Sequence, residues 1–329
     1  MIKFLIIRLS SIGDIVLTSP IVRILATQLP EAEVHFFVKK EFAEVVKHNP
    51  HIAKIHLYDG DIAQNIKVFK QENFDYVIDL HKNLRSFRVR NGLSSLWFSF
   101  NKLNFEKWLM VNFKINKLPD KHIVDRYFEA VSKFDVELDD KGLDYFIDAK
   151  DEVNIAEYFG DRFADGFVAF VVGARHFTKQ IPLFKAVEII NGIGVPVILL
   201  GGKNDEAFAN EIVKNTNSSL VKSGVGQFRI NQSASVIKNA RVVVTPDTGL
   251  MHIAAAFKRK IISLWGNTIP EFGMYPYKPH PDSRIFEVNG LRCRPCSKIG
   301  YDKCPKNHFR CMADINTNDV INAVKNMWK

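Results

Sequence analysis

The sequence predicts an α/β protein built as two parallel-sheet domains, and three observations carry that prediction. Short β-rich apolar runs alternate with helical patterns from the first residue, the rhythm of strands joined by crossover helices. The series stops near residue 135, and a second one restarts near residue 167. The chain's 329 residues also exceed the length at which one core usually keeps growing, so two domains of roughly 150 residues each are expected.

In the first series, residues 2–7 read as a buried strand, 15–28 as a helix, 33–38 as a strand and 76–79 as another. Residues 135–165 are acidic and turn-prone, with Asp139, Asp140 and Gly142 close together and Asp148, Asp151, Asp161 and Asp165 beyond them. The domain junction is expected there. In the second series, residues 167–172, 195–200, 241–244 and 260–264 read as strands, and 182–191, 205–213 and 249–257 as helices. After about residue 270 a Pro- and Cys-rich stretch breaks the rhythm, and residues 318–328 read as a last helix. The division is therefore 1–160, 161–315 and a closing segment, 316–329.

Hydrophobic content of 47% and charged content of 25%, without repeats or low-complexity runs, argue against disorder and against a solenoid. The net charge of +9 suits a partner carrying phosphate or carboxylate: nucleic acid, an anionic membrane surface or an acidic small molecule. Residues 82–117 concentrate it, with Lys82, Arg85, Arg88, Arg90, Lys102, Lys107, Lys114 and Lys117 against the single acid Glu106. Trp97, Phe98, Phe100, Phe105 and Trp108 interleave with these bases. A buried strand is the expected use of most of them, and contact with a bilayer the other. The apolar start is cut by Arg8 and Asp14 without a cleavage site in register, and reads as a mature cytoplasmic terminus. The longest uncharged apolar stretch, 189–202, falls short of the roughly 20 residues of a spanning helix and contains Gly192, Gly194 and Pro196.

Five turns at predicted strand ends carry candidate chemistry. The first strand runs through Arg8, Ser10, Ser11, Gly13 and Asp14 into a helix, which puts Asp14 at the carboxyl end of a parallel strand, where ligands bind. Asp14 is either a base aimed at a ligand or a helix cap. The turn from Gly173 to Lys179, with Arg175 and His176, precedes a helix and suits an anion. Gly201 and Gly202 lead to Asp205, which can accept from a ribose or cap a helix. The densest signal is Asp247-Thr248-Gly249-Leu250-Met251-His252 after a strand, then Gly266-Asn267-Thr268 after the next. A helix beginning at Thr248 and Gly249 offers open N–H groups to a diphosphate, and leaves Asp247 and His252 for sugar hydroxyls.

Together these turns, in this order, resemble glycosyltransferase family 9, the lipopolysaccharide heptosyltransferases, across nearly the whole chain. The tail with Cys293, Cys296, Cys304, His308 and Cys311 is most similar to the heptosyltransferase II branch. The resemblance implies a GT-B fold, two doubly wound Rossmann-like domains facing a cleft, with the acceptor bound in the first domain, the nucleotide sugar in the second, and a last helix crossing back to the first. It implies ADP-heptose as donor, inversion at the anomeric carbon and no catalytic metal or other cofactor. Asp14 matches the general base; Lys179 the phosphate ligand; Asp205 the ribose contact; Asp247, Thr248, Gly249 and His252 the diphosphate and sugar site. Ser11, Gly13, Arg85, Arg88 and Arg126 are the expected acceptor contacts. Two departures are Ile181, where the family often has Trp, and Ala174, where it has Thr.

The four cysteines lie within nineteen positions, spaced C-x2-C, x7 and x6, which argues against stable disulfides in a cytosolic chain and admits a structural zinc. Another nucleotide-sugar enzyme of epimerase type would share the donor half but not need the basic stripe. A nucleic-acid-binding protein would explain the charge, but no recognised RNA or DNA module is present. The expected partners are thus a nucleotide sugar and an anionic glycolipid, with peripheral contact at the inner membrane surface.

Overall fold

The computed structural model describes residues 1–216 and 219–329. Two compact units emerge: residues 1–103 with 121–146, and residues 104–120 with 147–329. The break after Phe146 falls inside the expected junction. Its acids, however, are not all linker. Asp139 and Asp144 both hold the buried Arg23 guanidinium, with Arg23 Nη2 2.7 Å from Asp139 Oδ1, so residues up to 146 are tied into the first unit.

The first unit is a five-stranded sheet of β1 (Ile2–Ile7), β2 (Ala32–Lys39), β3 (Lys54–Tyr58), β4 (Tyr76–Asp79) and β5 (Leu96–Ser99), ordered β3-β2-β1-β4-β5. Every pairing is parallel, and Ile7 stands level with Phe37 on one side and Asp79 on the other. Because β1 is covered on both faces it reads as an unbroken apolar run, with Phe4 to Ile7 buried. The helix expected over 15–28 is two: Ile12–Val16 and Ser19–Gln28, the second carrying Pro20 in its first turn. Proline is tolerated there because that N–H has no helical partner.

The second unit is a six-stranded parallel sheet of β6 (Val168–Val171), β7 (Val197–Leu200), β8 (Val221–Ser223), β9 (Val242–Pro246), β10 (Lys260–Trp265) and β11 (Arg284–Glu287), ordered β11-β10-β9-β6-β7-β8. Its core runs from Val168, Phe170 and Leu199 through Val244 and Leu264 to Val320, Val324 and Met327. Those last three belong to the final helix, Thr317–Trp328, which packs on the helix Leu183–Ile193 within this unit. The expected crossing back to the first domain is thereby corrected. The apolar face of the last helix is spent here, and Lys185 Nζ ties its start by donating to Ile315 O at 2.5 Å and Thr317 Oγ1 at 3.0 Å. Each unit is thus a Rossmann-like α/β layer structure. Among the described residues no helix is long and apolar enough to cross a membrane.

The aromatic segment also differs from expectation. Only Phe100 is buried; Trp97, Phe105 and Trp108 are exposed, since β5 is an edge strand and the helix Asn104–Phe113 buries none of its residues. The basic stripe divides as well. Lys82 to Lys102 belong to the first unit, Lys107 to Lys117 to the second.

Candidate functional site

Both sheets reverse their strand order beside their first strand, between β1 and β4 in one and between β6 and β9 in the other. Loops leaving two such neighbours turn to opposite faces and open a crevice at the carboxyl edge. The candidate residues gather at these two places.

In the first unit, the loop after β1 brings Arg8 and Asp14 together. Arg8 is 7% exposed and spends its guanidinium fully: Nε donates to Ser10 O (2.8 Å), Nη1 to Leu80 O (2.6 Å) and Tyr127 Oη (3.0 Å), and Nη2 lies 2.7 Å from Asp14 Oδ1. The other carboxylate oxygen, Oδ2, accepts from Ser11 Oγ (2.9 Å) and Ser11 N (3.4 Å). This is a capping box on the helix Ile12–Val16, so the two readings of Asp14 are not rivals: it caps, and a quarter of its side chain stays accessible. Burial works against its charge, but the Arg8 guanidinium and the Ser11 hydrogen bonds outweigh it and hold the carboxyl below its ordinary range. Burial likewise pushes the Tyr127 phenol up, keeping it a neutral partner of Arg8.

Of the other expected acceptor contacts, Ser11 is engaged with Asp14, and Gly13 is buried in the first helical turn. Arg85 and Arg88 project from the helix Leu84–Gly92 as exposed side chains, Arg85 over the Tyr58 ring at 5.8 Å. Arg126 is 1% exposed and donates to Asn101 O at 3.4 Å.

Sequence reasoning passed over His81. It follows Leu80, whose carbonyl Arg8 holds, and its turn is set by the buried Asp79, whose Oδ1 accepts from His81 N (3.0 Å) and Lys82 N (2.7 Å). Burial, then the charges of Arg8 and Lys102, push the imidazole down to about 3, so it is neutral, and its Nδ1 is buried without a partner among the described residues. The available signal was an Asp two residues before a His at a predicted strand end, an Asx-turn pattern at the carboxyl edge.

In the second unit the pair spans two strands. Lys179, after β6, places Nζ 2.6 Å from Asp247 Oδ2, after β9, and Thr268 Oγ1, after β10, donates to the same oxygen at 3.0 Å. Lys179 and Asp247 are 17% and 10% exposed. Beside them the helix Gly249–Ala256 begins at Thr248, whose hydroxyl meets Thr245 Oγ1 at 3.3 Å and makes no capping bond to the helix among the described residues. Its first N–H groups are therefore left without a side-chain cap, an arrangement that suits an anion. His252, one turn further, is 2% exposed. Asp205 accepts from Gly202 N at 2.9 Å, and its carboxyl, raised chiefly by burial, presses so close to Gly173 that a Cβ there would meet its oxygen at 2.2 Å. A Cβ at 173 would therefore force the Asp205 carboxylate to move.

The cysteine stretch braces these turns. Arg294 donates to Gly266 O (2.7 Å) and Thr268 O (2.8 Å) and pairs with Glu287 at 2.5 Å, while Tyr301 N donates to Thr178 Oγ1 at 2.8 Å, next to Lys179. None of this was legible from spacing. All four cysteines are free, and Cys293 Sγ lies 3.7 Å from His308 Nε2. The thiols are near enough that burial and then Cys296 and Cys304 push Cys311 up to about 12. No three of these ligand atoms, among the described residues, lie within 4.8 Å of one another.

Comparison with known proteins agrees with this arrangement. The model of glycosyltransferase family 9 (heptosyltransferase) matches residues 62–302. Lipopolysaccharide heptosyltransferase 1 of Campylobacter coli is 26% identical over 288 residues, which cover 81% of this chain and 84% of that one. A glycosyl transferase family 9 structure from Veillonella parvula superposes with a TM-score of 0.80 at 19% identity, covering 99% of this chain and 96% of the other. E. coli ADP-heptose LPS heptosyltransferase II gives 0.76 at 18% identity, covering 99% and 98%. At such identities the two structures speak for the fold, and the family match carries the rest: the chain belongs to glycosyltransferase family 9.

Proposed function

We propose that the protein transfers heptose from ADP-heptose to a hydroxyl of an anionic inner-core glycolipid of lipopolysaccharide type, with inversion at the anomeric carbon. The observation that carries this reading is Asp14: an ionised, partly accessible carboxylate, fixed by Arg8 and Ser11 at the carboxyl edge of the first sheet. As the acceptor oxygen attacks the anomeric carbon, Asp14 takes its proton. The bond from that carbon to the diphosphate breaks, and ADP leaves with the electron pair. Its charge is met by Lys179 and the open helix start at Thr248 and Gly249, a stabilisation that grows as the bond breaks. Asp247 holds Lys179 in place beforehand, and Asp205 stands ready to accept from the ribose. Attack from the face opposite the leaving group gives the inversion.

Arg85 and Arg88, exposed on one helix of the first unit, supply the charge that an acidic or phosphorylated acceptor meets. The enzyme on this reading works in the cytoplasm, with its acceptor held at the membrane surface. A thermal-shift panel of ADP, UDP, GDP and CMP tests the donor half. A nucleotide at about 100 times its dissociation constant adds roughly 2.7 kcal/mol, so ADP alone should shift the melting temperature by several degrees. A larger shift with UDP or GDP would unseat the donor assignment. Release of ADP from ADP-heptose, dependent on a lipid A-linked acceptor, tests the transfer itself.

A further inference from the structure

The helix Asn104–Phe113 is unusual in this protein because it is apolar and yet buries nothing. Phe105 is 65% exposed, Trp108 49% and Phe113 58%, and Ile115 just beyond is 47% exposed. These are not scattered side chains. Phe105 stacks on Trp108 with ring centroids 6.1 Å apart, and Trp108 meets Phe113 edge-on at 5.2 Å, so the three rings form one continuous ridge. The opposite side is fixed to the second unit: Lys107 lies over the Phe272 ring at 5.8 Å, and Lys114 Nζ donates to Pro295 O at 2.6 Å. Lys114, at φ 61°, ends the helix in the left-handed region. The ridge therefore stands on the side of the helix away from these contacts.

We propose that this ridge is an interfacial anchor that seats on an anionic phospholipid surface. Two features select lipid. Residues 102–121 hold five lysines against Glu106 and Asp120, and Lys117 follows Ile115 by two residues, the arrangement in which an apolar side chain enters the acyl boundary while a neighbouring ammonium group stays at the headgroups. Lysine is depleted in protein–protein interface cores. The ridge is also small. With about half of each ring exposed it offers on the order of 400 Å², half of the roughly 800 Å² per partner of a stable protein complex. A shallow aromatic patch with a few lysines suits reversible binding that anionic lipid strengthens.

The inference rests on the ridge and not on the sugar chemistry, so loss of the ADP assignment would leave it standing. It is tested by co-sedimenting the full chain with vesicles of phosphatidylcholine alone and of phosphatidylcholine with about one-third phosphatidylglycerol. Wild type should partition onto the anionic vesicles, and F105S/W108S should bind at least tenfold more weakly while retaining its melting temperature and ADP binding. Should the double variant fail to fold, Trp108→Gln alone carries the same expectation. Lys117→Glu should weaken binding at low salt and cease to matter at about 0.5 M salt. The proposal falls if wild type ignores anionic vesicles or if the ridge variants bind as well as wild type. It falls equally if wild type forms dimers that F105S/W108S abolishes, because the ridge would then cover a second copy.

Discussion

At the edge of the first sheet a carboxylate is gripped from within its own loop, whereas at the same edge of the second sheet the ion pair is shared between strands. Arg8 and Asp14 are six residues apart, and the guanidinium that holds Asp14 is itself buried and bonded to Ser10, Leu80 and Tyr127. Lys179 and Asp247 are 68 residues apart and meet only because β6 and β9 are neighbours. The difference suits the roles proposed for them. A base must stay put while a proton reaches it, and a fork of five donors on one buried Arg gives that rigidity. A phosphate ligand must exchange partners, and a lysine on a flexible stem, held by one carboxylate oxygen, can release Asp247 for a diphosphate without breaking the fold. One topology thus supports a fixed group in one unit and an exchangeable one in the other.

If that contrast is right, the largest effect belongs to Asp14→Asn. The amide keeps the shape and the Ser11 contacts but cannot take a proton, so turnover should fall by roughly 10²- to 10⁴-fold while ADP affinity stays near wild type. Full activity in this variant would reduce Asp14 to a cap. Next comes Lys179→Ala, which should weaken ADP and ADP-heptose by about 10- to 100-fold, the worth of one charge-assisted bond, and adenosine far less. Equal weakening of all three would mean that Lys179 serves only to hold Asp247, and the two edges would no longer differ in kind.

A third expectation separates the units by acid. His56, pushed down to about 4 by burial and then by His35, and His81, pushed down to about 3, both belong to the first unit, as does the depressed Asp14. Each imidazole stays neutral in the fold, while the unfolded chain takes up its proton near 6.5. Their stabilisation is therefore complete above about pH 6.5 and is lost as pH falls toward 4 for His56 and 3 for His81, at up to about 1.4 kcal/mol per pH unit each. The partly exposed His81 gives less. Asp14 adds a loss of the same sign below its ordinary range. Hydrogen exchange between pH 6.5 and 4, corrected for intrinsic rates, should show β1–β5 losing protection before β6–β11, and His81→Asn should flatten the trend. Simultaneous loss in both sheets would erase the distinction.

Much of this could be read before the structure, and the remainder could not, for identifiable reasons. Long buried strands such as Ile2–Ile7, and turns carrying Asp14 or Asp247, are visible because parallel strands are continuously apolar and the loops after them are short. Edge strands were missed: β3, β5, β8 and β11 have three to five residues and too little period to detect. Trp97 and Trp108 were expected inside because aromatic residues usually are, but an edge strand and a surface helix leave them out. Arg294, His81 and the buried settings of Arg126 and His252 depend on which loop packs on which, and spacing along the chain contains no such record.

The smallest expected effect concerns Arg85 and Arg88, and it sharpens the comparison by asking whether charge at the first edge is exposed in function as well as in form. Both guanidiniums stand three residues apart on one face of the helix Leu84–Gly92, which follows β4 after a short turn. Neither is buried, so any contact with an acidic acceptor is screened over about 8 Å at physiological salt and is worth little individually. R85E/R88E should therefore raise acceptor KM only a few-fold at low salt, converge with wild type at about 0.5 M salt, and leave kcat and ADP binding unchanged. Lys179 offers the contrasting control: it is 17% exposed, so the penalty of its loss should persist through the same salt range. If the double reversal spares acceptor KM even at low salt, these arginines form a solvated face. The charge that meets an acidic acceptor would then have to be sought elsewhere than on this helix.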